Sequence, residues 1–153
     1  MSGAAAEPRP GGLEVRRARD AAERDAAIEL RRQVFVEEQG VPVEEELDGR
    51  DGEALHLVAA DAGGIVGTCR LCFSGRTVQF SRLAVTPSAR RRGIARALLA
   101  AADGEGRAAG ARRVVLHAQV YARALYEDAG YVPRGPHFWE AGIEHVAMEK
   151  RLG

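Results

Sequence analysis

Arg90-Arg91-Arg92-Gly93 stands between an apolar run, Leu83-Ala84-Val85, and a stretch of helical periodicity that begins Ile94-Ala95-Arg96. The first turn of a helix exposes N–H groups with no carbonyl to bind and carries about half a positive charge, so it attracts anions. Gly93 and the small Ala95 allow an oxyanion to approach the backbone without meeting a bulky side chain. Arginines at the rim can pair with phosphate oxygens two bonds at a time. The chemistry that fits is phosphate or diphosphate binding. No Gly-Lys-Ser/Thr follows Gly93, so this is not the loop of a nucleotide hydrolase. Gly104-Glu105-Gly106 is no dinucleotide fingerprint either, because Gly110 comes one residue too late and no strand leads into it. Taken alone, the three arginines would also suit a solvated connector, and the turn leaves both readings open.

Cys69 and Cys72 have the spacing of a redox or zinc pair. They lie within Ile65–Phe73, which reads as a strand, and an offset of three puts their sulfurs on opposite faces of a sheet. Neither a helix N-terminus nor two further ligands accompany them, so buried structural thiols are expected, with no metal.

The elements that must position the turn can be read from periodicity. Residues 1–12, rich in Pro, Gly and small side chains, are expected to be a disordered tail, and residues 13–153 a single domain. Leu13–Ala18 alternates as a strand does. Asp20 with Glu23 three residues on marks a helix start, and Ala27, Leu30, Val34 and Phe35 give that helix an apolar side as far as Gly40 and Pro42. An acidic run follows from Glu37 to Glu53, read as a loop or short helix. Three strands then form a meander, Leu55–Ala60, Ile65–Phe73 and Thr77–Val85, the last ended by Pro87. Ile94, Ala97, Leu98, Ala101 and Ala102 form a buried helical stripe. That helix is expected to break near Gly104 and Gly106, each costing about 1 kcal/mol relative to Ala. Val114–Ala118 reads as a central strand, about Ala122 to Ala129 as a helix capped by Gly130, and Ile143–Met148 as a final strand. The order is that of a mixed α/β sheet.

Composition narrows the class. The chain has 153 residues, 46% hydrophobic and 29% charged, with 22 basic residues against 22 acidic. A formally neutral chain argues against broad nucleic-acid or anionic-membrane binding. No apolar run is long enough to span a bilayer, and the first residues show no basic segment followed by a long apolar one, so no secretory signal is read. The expectation is a cytoplasmic protein, monomer or homodimer, with no nucleic-acid or membrane partner.

Arg90-x-x-Gly93-x-Ala95 after an apolar strand resembles the acyl-CoA diphosphate loop of the GNAT superfamily of N-acetyltransferases, written Q/R-x-x-G-x-G/A. Gln119-Val120-Tyr121-Ala122-Arg123-Ala124-Leu125-Tyr126-Glu127-Asp128-Ala129-Gly130-Tyr131 resembles that family's N-x-x-A-x-x-F-Y-x-x-x-G-F segment, with Gln119 for Asn, Leu125 for Phe and Tyr131 for the final Phe. Ala95, where glycine is commoner, would tighten the diphosphate site. Val34-Phe35-Val36-Glu37-Glu38-Gln39 and Phe138–Met148 are similar to the ElaA-like branch.

The resemblance implies a GNAT fold: a mixed, mostly antiparallel twisted sheet flanked by helices, with a splayed pair of parallel strands. It implies acetyl-CoA as cosubstrate, without a metal, and a small-molecule or peptide amine as acceptor. Leu83, Ala84 and Val85 would pair with the pantetheine arm, and Arg90, Arg91, Arg92, Gly93, Ile94, Ala95 and Arg96 would hold the diphosphate. Gln119 and Tyr126 complete the implied coenzyme contacts, Tyr126 also standing where the family places its general acid. For the base, Glu45, Glu46 and His145 are candidates by residue type, as are Glu38 and His56, and nothing in the sequence selects one. The acidic run has the right sign to attract a cationic amine, and Phe138 and Trp139 are candidates to wall the acceptor pocket. The alternative is a non-catalytic acyl-CoA-binding or regulatory module of the same fold.

Overall fold

The computed structural model describes residues 12–153; the tail expected over residues 1–12 lies outside them except for Gly12, an exposed bend. Strand β1 is Glu14–Arg17, followed by α1, Ala21–Arg31. Asp20 caps α1 by accepting the Glu23 N–H at 2.9 Å, while the Glu23 carboxylate accepts from the Arg19 N–H at 2.8 Å. Beyond Arg31 the helix continues to Glu38 as a π-helix, where the sequence suggested a uniform one. The wider turn shows in its last bonds, the Gln39 N–H reaching the Val34 carbonyl at 3.1 Å and the Val41 N–H that of Phe35 at 2.8 Å. The acidic run begins in the last residues of that π-helix and then holds the four-residue α2, Val43–Glu46.

Strands β2 (Leu55–Asp61), β3 (Gly64–Ser74) and β4 (Thr77–Val85) form the meander. Helix α3 spans Ile94–Ala108, β5 spans Arg113–Gln119, α4 spans Arg123–Asp128, and β6 (Val132–Glu140) and β7 (Ile143–Arg151) close the sheet. The spatial order is β1-β2-β3-β4-β5-β7-β6, and every neighbouring pair is antiparallel except β4 with β5. Helix α1 packs on one face of β2–β4 and α3 on the other. The main core lies under α3, with Leu57, Cys69, Leu71, Phe80, Leu98, Leu116 and Met148 all buried. Cys69 belongs to that core, whereas Cys72 is buried beside Arg70's side of β3; both thiols are unbonded.

Helix α3 does not break at its glycines. A Cβ on Gly106 would stand 2.8 Å from Leu152 and 3.4 Å from Val78, so the helix runs on to Ala108 because packing there needs a bare backbone. Gly67 of β3 serves the other end of α3, since a Cβ there would come within 2.7 Å of Ile94. The missing side chain lets the first turn of α3 settle directly on the sheet beside the end of β4.

Candidate active site

The parallel pairing of β4 with β5 lasts three residues: Thr77, Val78 and Gln79 opposite Arg113, Val114 and Val115. After Gln79 the strands part, leaving the β5-facing edge of Phe80–Val85 without a strand partner among the described residues. A bulge in β4 accompanies the parting. Arg70 pairs with Ser81 but Thr68 with Ala84, and between them Arg82 takes φ +58°, rare for a residue other than glycine. The extra residue keeps Leu83 and Val85 packed on the core side, with Val78 and Phe80, while Ala84 is buried against Leu30 and Val34 under α1.

Two cavities meet at Leu125, which lines both. The larger, about 600 Å³, lies between the parted strands, a size suited to a small-molecule substrate. One wall carries Phe35 and Gln39, Glu44–Glu46 of α2, and Gln79–Leu83 of β4. The other carries Leu116, His117 and Gln119 of β5, Tyr121, Tyr126 of α4, and Glu140 and His145 from the last hairpin. Gln119 Nε2 donates to Gln39 Oε1 at 2.9 Å, tying the end of β5 to the end of the π-helix. The smaller cavity, about 240 Å³, is formed by Val85, Ala89, Arg90, Arg91, Gly93, Ile94, Ala95 and Arg96.

The geometry of that smaller cavity fits an anion. Gly93 caps α3 at φ +77°, and a Cβ there would meet nothing within 4 Å. The N–H groups of Arg91–Arg96 find no backbone carbonyl among the described residues, as expected at a helix start. The arginines differ. Arg90 is held by Glu38 through two bonds of 2.7 Å and donates from Nε to the Val85 carbonyl at 3.0 Å, and this guanidinium draws the Glu38 carboxyl below its ordinary pKa. Arg92 turns to Asp61 at 3.7 Å and does not line the cavity, and Arg96 pairs with Asp128 at 3.0 Å. Arg91, at φ +64°, has no side-chain partner among the described residues. These features suit an oxyanion such as a diphosphate, for which the Arg91–Arg96 amides and the Arg91 side chain would be the donors.

Tyr126 is 8% exposed, set edge-on to Tyr131 with centroids 6.1 Å apart, and burial pushes its phenol above the ordinary range, so it keeps its proton at neutral pH. Glu46, a candidate base by type, is spoken for. It is buried, paired with the fully buried Arg31 at 2.9 Å and with Arg82 Nε at 2.7 Å. Asp51 pairs with Arg31 at 2.7 Å and Arg70 at 3.1 Å, and Asp48 with Arg70 at 2.8 Å and Arg82 at 3.3 Å. The Arg70 guanidinium holds the Asp48 carboxyl well below the usual carboxylate range. His56 lies outside the cleft, its Nε2 on the Asp51 carbonyl at 2.9 Å and its Nδ1 buried without a partner among the described residues. Glu45 is exposed on the cleft wall. Phe138 does not wall the cleft but packs on His117 and His145 from behind, and Trp139 is 72% exposed elsewhere. Sequence reading missed Arg82, since nothing in Phe80-Ser81-Arg82-Leu83 marks a bulge. No group of three or more His, Cys, Asp or Glu able to hold a metal occurs among the described residues.

A family profile described as an acetyltransferase (GNAT) domain matches residues 18–152. The chain belongs to the GNAT acetyltransferase family. It is 34% identical over 125 residues to the uncharacterized N-acetyltransferase YjcF of Bacillus subtilis, covering 81% of this chain and 89% of that one. Among solved structures it is similar to an acyl-CoA N-acyltransferase from Pseudomonas aeruginosa, with TM-score 0.77 and 29% identity over 90% of this chain and 97% of that one. Escherichia coli ElaA, with TM-score 0.77, 23% identity and the same coverage, shares the fold. The GNAT sheet, with its one parallel pair between flanking helices, is thus the fold of this chain. Among the described residues no helix is long and apolar enough to cross a membrane.

Proposed function

We propose that this GNAT protein transfers an acetyl group from acetyl-CoA to the nitrogen of a primary amine, on a small molecule or a peptide. The observation that carries the reading is the parting of β4 from β5 after three paired residues, beside an α3 N-terminus whose amides are free. The Arg91–Arg96 amides and the Arg91 guanidinium hold the diphosphate. The open edge of β4 around Leu83 and Val85 offers backbone groups to the pantetheine arm, as a strand would. The amine nitrogen then attacks the thioester carbon, a C–N bond forms and the C–S bond breaks. Tyr126, a phenol protonated at neutral pH, gives its proton to the departing sulfur. Glu44 and Glu45 on the cleft wall favour an acceptor that arrives as a cation.

The test is a thiol-release assay with acetyl-CoA against polyamines, aminoglycosides, amino acids and peptides. Amine-dependent release with formation of the acetylated product is expected. Tight binding of coenzyme A with no release for any amine would favour a binding or regulatory module instead.

A further inference from the structure

An alkylamine is an ammonium at neutral pH and must lose a proton before its lone pair can reach the thioester carbon. His145 stands in register with Gln119, the last residue of β5, and so at the end of the sheet from which β4 has departed. It lines the cleft while being only 7% exposed. Its Nδ1 lies 2.7 Å from the Ile143 carbonyl oxygen. A carbonyl only accepts, so Nδ1 carries the hydrogen and donates it, and the neutral ring keeps its lone pair on Nε2. Phe138 stacks on the ring at 5.9 Å and 22°, fixing its plane. Nε2 makes no hydrogen bond among the described residues, yet it is not among the buried atoms sealed off without a partner. His56 is the opposite case, with its unpaired nitrogen buried.

The other titratable groups of the cleft are less suited. His117 also lines the cleft, but its ring is nearly half exposed and is tied to Glu140, itself as exposed, whereas the His145 ring is buried and stacked. Asp48 is held by Arg70 and Arg82, and Glu44 is exposed on the same single-turn helix as Glu45. Glu140 is held by His117 Nδ1 at 2.9 Å, Glu46 by Arg31 and Arg82, and Tyr126 keeps its proton. Glu45 projects from a single-turn helix with no side-chain partner among the described residues to fix its rotamer. Tyr121, 77% exposed, lies at the rim.

We propose that His145 is the general base of the transfer, its Nε2 lone pair presented to the cleft by the bond from Nδ1 to Ile143. This rests on the acetyltransferase reading above. Nε2 takes one proton from the acceptor ammonium, and the freed amine forms the C–N bond. As the C–S bond breaks, its electron pair leaves on sulfur, which takes the Tyr126 proton. The second nitrogen proton is lost to solvent as the amide forms. Tyr126 is reprotonated from solvent and the His145 imidazolium discharges to it, so one proton is released per turnover.

Two measurements on the full chain test it. In the ¹⁵N spectrum of the unmodified protein, the neutral form of His145 should show a hydrogen on Nδ1 and a bare Nε2; the other tautomer overturns the proposal. In the thiol-release assay, His145→Gln is compared with wild type using n-butylamine, an ammonium at neutral pH, and hydroxylamine, already uncharged there. Removing a general base should cost about 10²–10⁴-fold with butylamine and less than a tenth of that factor with hydroxylamine, with acetyl-CoA affinity unchanged. Equal losses with both nucleophiles overturn the base role, as does a wild-type chain that binds acetyl-CoA but turns over neither. A chain that binds no acetyl-CoA overturns the underlying transferase reading instead.

Discussion

Replacing Gly93 with glutamate imposes two costs that fall on different states, so they can be measured apart. The first is conformational. Gly93 sits at φ +77°, and a side-chain-bearing residue in that left-handed region costs about 1–2 kcal/mol. This cost falls on folding whether or not a coenzyme is bound, and lowers the melting temperature by about 2–8 °C for a chain of this size. The second is electrostatic and exists only in the complex. The new side chain enters the open space that now surrounds Gly93, the space assigned to the diphosphate. A carboxylate about 5 Å from one phosphate charge is repelled by about 1 kcal/mol in a water-like medium and about 3 kcal/mol at an effective dielectric of about 20. That is a loss of roughly 5- to 150-fold in affinity. Titration calorimetry with coenzyme A should show it. Acetyl-pantetheine, which has no diphosphate, should be used by Gly93→Glu as efficiently as by wild type, and Gly93→Ala should carry only the conformational cost. Unchanged affinity for coenzyme A, or an equal loss with both donors, would refute the assignment of this turn.

Two further outcomes test other parts of the cleft. Tyr126→Phe keeps the buried ring and its edge contact with Tyr131 but removes the proton donor, so kcat should fall more than KM rises; an unchanged kcat would remove Tyr126 from the chemistry. Glu46→Ala leaves the fully buried Arg31 with Asp51 alone, and breaking a buried pair from one side costs about 3–5 kcal/mol. For a chain of this size that lowers the melting temperature by about 6–20 °C, and a shift below about 2 °C would mean that the network contributes no stability.

How much of this was legible in the sequence depended on how local each cause is. The alternation in Leu13–Ala18, the stripe from Ile94 to Ala102 and the Asp20 cap are set by neighbours within a few residues, and the corresponding elements formed. The anion-binding turn was readable for the same reason: strand end, glycine and helix start are consecutive. The ion pairs of the acidic run were not. Their arginines come from α1, β3 and β4, and no spacing rule links residues 31, 70 and 82. Gly106 misled because propensity argues against glycine in a helix, whereas a Cβ there would collide with Leu152, which arrives from the far end of the chain. Phe138 and Trp139 are adjacent in a strand and therefore face opposite ways, so a joint wall for the cleft was excluded by strand geometry alone. The π-helical continuation of α1 had no sequence signal that could be named.

The ion pairs also revise what the acidic run can do. Glu37 is taken by Arg32, Glu38 by Arg90 and Glu53 by Arg50, while Glu46, Asp48 and Asp51 share Arg31, Arg70 and Arg82. Of the acidic run, Glu44 and Glu45 line the cleft without an ion-pair partner among the described residues, so the proposed attraction of a cationic acceptor would fall to them. The paired carboxylates do something else. Arg82 is the residue whose positive φ makes the β4 bulge, and its guanidinium is held by Glu46 and Asp48 of the same wall. The acceptor wall and the strand assigned to the pantetheine are thus one cross-linked unit. A substitution on α2, though far in sequence from the anion-binding turn, bears on where Leu83 presents its backbone, because the clamp on Arg82 holds the bulge from which Leu83 follows.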